Sequence, residues 1–238
     1  MNLIPVIDLM QGVVVRARRG ERGSYRPIDS ALCRSSDPLT VAAILRDHCA
    51  ARQIYIADLD ALTGGAPQHS VVRSLARALD GVELWVDAGF ADATAVTDWQ
   101  GRADLDAASW VPVLASESMS GATALAAATT RDGLPRSDVV LSLDRRGTEL
   151  LDRAGCWTKP SLWPVRVIVM TLERVGADQG PDLDTFAQVR AQAPGRQFIG
   201  AGGIRDARDL SAARDAGASA WLVASALHDQ RLAATDRW

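Results

Sequence analysis

The chain has 238 residues, 47% of them hydrophobic and 23% charged, with a formal net charge of −3. This make-up supports a full core and excludes a disordered chain, and the slight negative charge gives no general attraction to a nucleic-acid backbone or an anionic membrane. Three cysteines without CxxC or Cys/His spacing predict no disulfide framework or metal site and fit a reducing cytoplasm, and no apolar run approaches the roughly 20 residues of a membrane span.

Taken in chain order, short aliphatic runs alternate with longer Ala/Leu/Arg stretches at helical period. The runs are LIPVID (3–8), QIYIAD (53–58), ELWVDA (83–88), SWVPVLA (109–115), DVVLSLD (138–144), VRVIVMT (165–171), QFIGAG (197–202) and SAWLVAS (219–225). Most are continuously apolar, as expected where both faces of a parallel sheet are covered. The N-terminal MNLIPVIDL is itself a strand pattern without the charged leader of a signal peptide, so folding is expected to start at residue 2. Helices are expected near 38–51, 67–80, 92–99, 120–132, 182–193, 206–216 and 226–234, several with capping starts such as Asp37-Pro38, Pro67 and Asp206.

Eight strands separated by helices predict an α/β fold, a single (βα)8 barrel over 1–238. Two units read as irregular. After the first strand, VVVRARRGERGSYRPID predicts a hairpin or long loop carrying Arg16, Arg18 and Arg19, which either reach an anionic substrate or solvate the loop. After the fifth, RRGTELLDRAGCWTKPSLWP predicts a short helix or a loop in place of one.

The two halves also overlay on each other, Asp8 on Asp144, Asp58 on Thr171, Gly89 on Gly203 and Ser116 on Ser225, which predicts a barrel built from two half-barrel repeats. Lys159, the one lysine, is a weak Schiff-base candidate, and the scattered His48, His69 and His228 read as packing rather than ligands. No cofactor or metal is expected.

The segments IPVIDLMQGVVVRARRG, YIADLDALTGG, LSLDRRG, GAGGIRD and WLVASAL, in that order, resemble the HisA/HisF family of histidine-biosynthesis barrels, closer to the HisA side. The resemblance implies isomerase chemistry, an Amadori rearrangement of an aminoaldose to an aminoketose on a substrate with a phosphate at each end. It implies Asp8 as base, Asp144 as acid and Thr171 as a substrate-positioning residue. It also matches Asp58 and Asp60 to the family's strand-two motif, Asp58 as a candidate substrate contact and Asp60 as either a substrate contact or a structural loop residue, and sets Trp157 near a family tryptophan that covers the substrate. An acid and a base on opposite sides of a sugar suit that reaction. Each aspartate also has a plainer reading, as a helix cap or an Asx turn.

In GAGGIRD, the bare backbones of Gly202 and Gly203 let N–H groups approach an anion, and Ala224 and Ser225 supply a second small-residue turn. Together they predict one phosphate site. The matching place in the first half departs from the family. Where the isomerases carry a glycine run followed by an aliphatic residue and arginine, this chain has Asp87-Ala88-Gly89-Phe90-Ala91, and its fourth strand ends in Ala115-Ser116-Glu117. Two carboxylates at contact distance from a dianion would each cost about 1–4 kcal/mol. Either Asp87 and Glu117 turn away, or the second phosphate is not bound.

Three readings of function follow. The first is a HisA-like paralogue acting on a singly phosphorylated or cationic-ended metabolite, of the kind found among one-carbon genes for methanofuran and tetrahydromethanopterin. The second is a HisA-type isomerase of histidine biosynthesis, and the third a non-catalytic barrel that binds a phosphorylated metabolite or a protein.

Overall fold

The computed structural model describes residues 1–17, 21–106 and 108–233. Arg18 and Arg19, and the last residue of the helix expected over 226–234, lie outside them. Eight parallel strands close on themselves: β1 (Asn2–Met10), β2 (Gln53–Asp58), β3 (Glu83–Asp87), β4 (Trp110–Ala115), β5 (Val140–Arg146), β6 (Arg166–Thr171), β7 (Gln197–Ala201) and β8 (Ala220–Val223). Pairing of β8 with β1, Ile4 opposite Leu222, completes the (βα)8 barrel.

Side chains alternate across each strand, so each contributes to two cores. Ile4, Tyr55, Trp85, Val113, Val140, Ile168, Ile199 and Leu222 fill the barrel interior. Ile7, Ile54, Ile56, Val86, Leu141, Val167 and Val169 face the helices. The helices Pro38–Cys49, His69–Ala78, Ala93–Ala103, Ala122–Thr129, Leu183–Gln192 and Ala207–Asp215 form the outer layer, and a single turn, Ser225–His228, follows β8. Aspartates cap four of them: Asp37, Asp92, Asp182 and Asp206 each accept a first-turn N–H.

Both irregular units take the form expected. The chain after β1 returns as an antiparallel strand, Val13–Arg16, pairing Val15 with Asp8. After β5 there is no α-helix but two 3-10 turns, Cys156–Thr158 and Pro160–Leu162, anchored by the Asp152 carboxylate, which accepts from the N–H groups of Cys156 and Trp157. All three cysteines are free thiols.

The strand registers repeat with two-fold symmetry. Asp8 pairs with Ala57 and Asp144 with Met170; Ala57 pairs with Asp87 and Met170 with Ala201. Val86 pairs with Pro112 and Gly200 with Trp221; Val113 pairs with Val140 and Leu222 with Ile4. Every step reproduces the overlay read from the sequence, so Asp87 and Ala201 are structural counterparts.

One contact in this frame is too tight to alter. A Cβ on Gly200 would lie 2.2 Å from the ring of Trp221, whose indole N–H donates to Gly202 O behind the β7 turn. Gly200→Ala is expected to lower unfolding free energy by about 1–3 kcal/mol through overpacking, read by equilibrium denaturation.

Candidate active site

The strand C-termini open into a cavity of about 510 Å³, within the range of small-molecule sites and at the end where barrels of this kind carry chemistry. Asp8, Arg16, Tyr55, Asp87, Glu117, Asp144, Gly202, Gly203, Ala224 and Ser225 are among its lining residues. Alternation decides which strand ends enter it. Asp8, Asp87 and Asp144 share parity with the interior residues Ile4, Trp85 and Val140, so their carboxylates face inward.

Asp144 is buried at the floor. It accepts from Ser142 Oγ at 2.6 Å and from Ser116 Oγ at 3.3 Å, and its own N–H donates to Ser116 Oγ at 2.9 Å. Burial, followed by the negative charge of Glu117 and then of Asp87, raises its pKa to about 7, while the serine hydroxyls pull the other way. Near neutral pH it can therefore hold a proton and release it. Asp8 stands across the mouth, four strands away in either direction around the closed barrel.

Asp87 is 5% exposed. It accepts from the Tyr55 hydroxyl at 3.0 Å and from Gly89 N–H at 3.2 Å. Burial and then the charges of Asp87, Asp144 and Asp8 hold the Tyr55 phenol well above its ordinary pKa, so the three carboxylates converge on one region. Of the alternatives for Asp87, the structure adopts the inward one. Glu117 lines the same side.

The opposite side is different. Gly203 sits at φ +88°, and a Cβ there would lie 2.2 Å from Gly180 O, so only glycine permits this turn. Next to it, Ser225 and Ala226 open a helical turn whose first N–H groups have no partner within the turn. Arg16, Arg146, Arg174 and Arg231 also line the cavity. Arg16 pairs with Asp229 at 2.7 Å, and Arg231 pairs with Asp178 at 2.5 Å and Asp229 at 3.6 Å, joining the first hairpin to the loops after β6 and β8. Arg205 of the GGIR segment points elsewhere, its Nε and Nη2 donating side by side to the two oxygens of Asp209.

Three residues singled out from the sequence do not line the cavity. Thr171 has the parity of Val167 and Val169, faces the helix layer, and donates to Asp182 Oδ2 at 3.3 Å. Asp58, with the parity of Ile54 and Ile56, is fully buried, and its two oxygens accept from Ala61 N–H and Gln68 N–H. It is a cap, while the Asp60 carboxylate accepts Gln11 N–H in the turn after β1. Trp157 packs in the outer core. Lys159 donates to Ala154 O, away from the mouth, and His48, His69 and His228 gather no metal-binding group among the described residues. Tyr55 was not singled out, although its place two residues before Ala57 gives it inward parity.

A model of the family described as histidine biosynthesis protein matches residues 2–233. The chain belongs to that family. Among similar proteins is an uncharacterized protein of Methanocaldococcus jannaschii, 29% identical, with 96% of this chain and 93% of that one aligned. Phosphoribosyl isomerase A of Streptomyces coelicolor is 27% identical over 96% of this chain and 93% of its own. An imidazole-4-carboxamide isomerase of Halothermothrix orenii is 26% identical over 98% and 96%. HisA-like isomerases are thus full-length relatives, and no helix among the described residues is long and apolar enough to cross a membrane.

The charge of Glu117 contributes to the raised pKa of Asp144. Glu117→Gln removes that charge, so the Asp144 carboxyl is expected to titrate lower, moving from about 7 toward the ordinary range. Carbon-detected NMR titration of the aspartate carboxyls reads the shift.

Proposed function

We propose that the chain, acting as one domain over 1–238, is an acid/base isomerase of a singly phosphorylated metabolite, a paralogue of the histidine-pathway enzymes. Asp144 supplies the acid and Asp8 the base. The phosphate lies on Gly202, Gly203, Ala224 and Ser225, within reach of the arginines at that rim. What carries this reading is a buried carboxyl with pKa near 7 in a cavity that also holds Asp8 and one open anion turn. By family resemblance alone, the setting is one-carbon cofactor metabolism.

In the proposed reaction the substrate is a cyclic aminoaldose. Asp144 gives its proton to the ring oxygen as the C1–O bond breaks, and the nitrogen lone pair forms the C1=N bond. Asp8 then takes the proton from C2, and those electrons form C1=C2 as the iminium nitrogen is neutralised. Ketonisation moves the proton from Asp8 to C1 while the C2 hydroxyl gives up its own, which restores the proton of Asp144 and leaves the aminoketose. Positioned acid and base catalysis of this kind contributes about 10²–10⁴-fold each.

The carboxylates on the β3/β4 side favour a substrate whose far end is neutral or cationic. Asp144 already registers their field as a raised pKa. The names of the isomerase relatives favour the second reading, turnover of a bisphosphorylated histidine-pathway substrate. Side-by-side assays of aminoaldoses with one and two phosphates separate the two. Turnover of the monophosphate, cut by about 10²–10⁴ in both Asp8→Asn and Asp144→Asn, is expected. Ordinary turnover of the bisphosphate would overturn the monophosphate reading, and full activity in both variants would overturn the catalytic assignment.

A further inference from the structure

We infer that Asp87 is the specificity determinant that closes the β3/β4 half of the mouth to anions, because its carboxylate occupies the donor an incoming phosphate would use. This rests on the proposed reading only in taking the β7/β8 half as the open counterpart.

The strand registers make the comparison internal to the chain. Asp87 on β3 corresponds to Ala201 on β7, Gly89 to Gly203, and Ser116 to Ser225. Gly89 has φ +72°, close to the +88° of Gly203, so this position keeps its left-handed conformation in both halves, while the position before it differs, Gly202 at +88° against Ala88 outside the left-handed region. What meets the Gly89 N–H differs as well. Gly89 N–H donates to Asp87 Oδ1, while the counterpart of Asp87 is a methyl group.

The carboxylate is held there from its other side, where Tyr55 donates to Oδ2; the counterpart of Tyr55 in the second half is Ile168, which offers no hydroxyl. Neighbouring donors are closed as well. Ser116 N–H donates to Ser142 O at 2.8 Å, and its single hydroxyl proton is shared between Leu151 O at 2.7 Å and Asp144 Oδ2 at 3.3 Å. In the other half, among the described residues, no such bond runs from Ser225 N–H to Val6 O, the counterpart of Ser142 O. One half keeps an anion turn open, and the other fills the same turn with its own side chain. A substrate end without negative charge is therefore selected on the β3/β4 side.

Inorganic phosphate is the probe, with soaked crystals of the full chain giving position and titration calorimetry giving stoichiometry. Wild type and Glu117→Ala are expected to take one anion, at Gly203 and Ser225. The double variant Asp87→Ala/Glu117→Ala is expected to take two, the second on Gly89 N–H. An anion at Gly89 in wild type or in Glu117→Ala overturns the inference, as does a folded double variant with none there. The reciprocal change, Ala201→Asp, is expected to abolish phosphate at Gly203, and a folded Ala201→Asp protein that keeps it also overturns the inference. If circular dichroism shows the double variant unfolded, the wild-type and Ala201→Asp results decide. Failure of wild type to bind phosphate at Gly203 would instead remove the phosphate anchor of the proposed function, leaving the gain at Gly89 in the double variant to test Asp87 alone.

Discussion

Closure of eight parallel strands imposes an alternation that governs everything at the mouth. A strand buried on both faces sends successive side chains into the barrel and into the helix layer, so a shift of one residue at a strand end changes its whole environment. Asp8, Asp87 and Asp144 lie on the inward parity and meet around one cavity. Asp58 and Thr171 end their strands on the outward parity and serve the helix layer, one as a cap and the other tied to a cap. The same constraint sets the depth of Asp144, and depth is the largest cause of its raised pKa.

The cavity this produces is electrically lopsided. Carboxylates of Asp87, Glu117 and Asp144 crowd the β3–β5 side, with Arg146 beside them, while Arg174, Arg231 and the small-residue turns line the β6–β8 side and Arg16 reaches in from the hairpin after β1. Arg16 and Arg231 are held by Asp178 and Asp229, which line the cavity too, so their charge is kept near the rim without standing free. In a cavity with low-dielectric walls such a field orients a ligand before any specific contact forms. A molecule with an anionic end and a neutral or cationic end is favoured in one orientation and disfavoured in the other.

Much of this was legible in the sequence, for physical reasons that differ by residue. Continuous apolar runs marked the strands because both faces of the sheet are covered, and prolines with a broken helical period marked the fifth unit. The overlay of the halves survived in full because strand register is a backbone property that the duplication preserves. Motif position alone could not sort Asp8 from Asp58, since both close an apolar run near the C-terminal end of a strand; parity counted back from the interior residues does. It would also have pointed to Tyr55, whose hydroxyl fixes Asp87. Trp157 was beyond this reasoning, because its direction depends on the Asp152-anchored turns rather than on a strand.

A repeated half-barrel starts with two equivalent turns, and equivalence costs nothing to keep where no side chain competes for the backbone. Ala201 leaves the second turn open; Asp87 brings a carboxylate to the first, and Tyr55 holds it in place. The difference needs no change in fold or register, and Gly89 and Gly203 both stay in the left-handed region, although Gly202 shares that conformation and its counterpart Ala88 does not. It also reaches the chemistry. The charge that fills the first turn also adds, after burial and Glu117, to the raised pKa of Asp144, so the carboxylate proposed to select against a second anion contributes to the readiness of Asp144 to hold a proton.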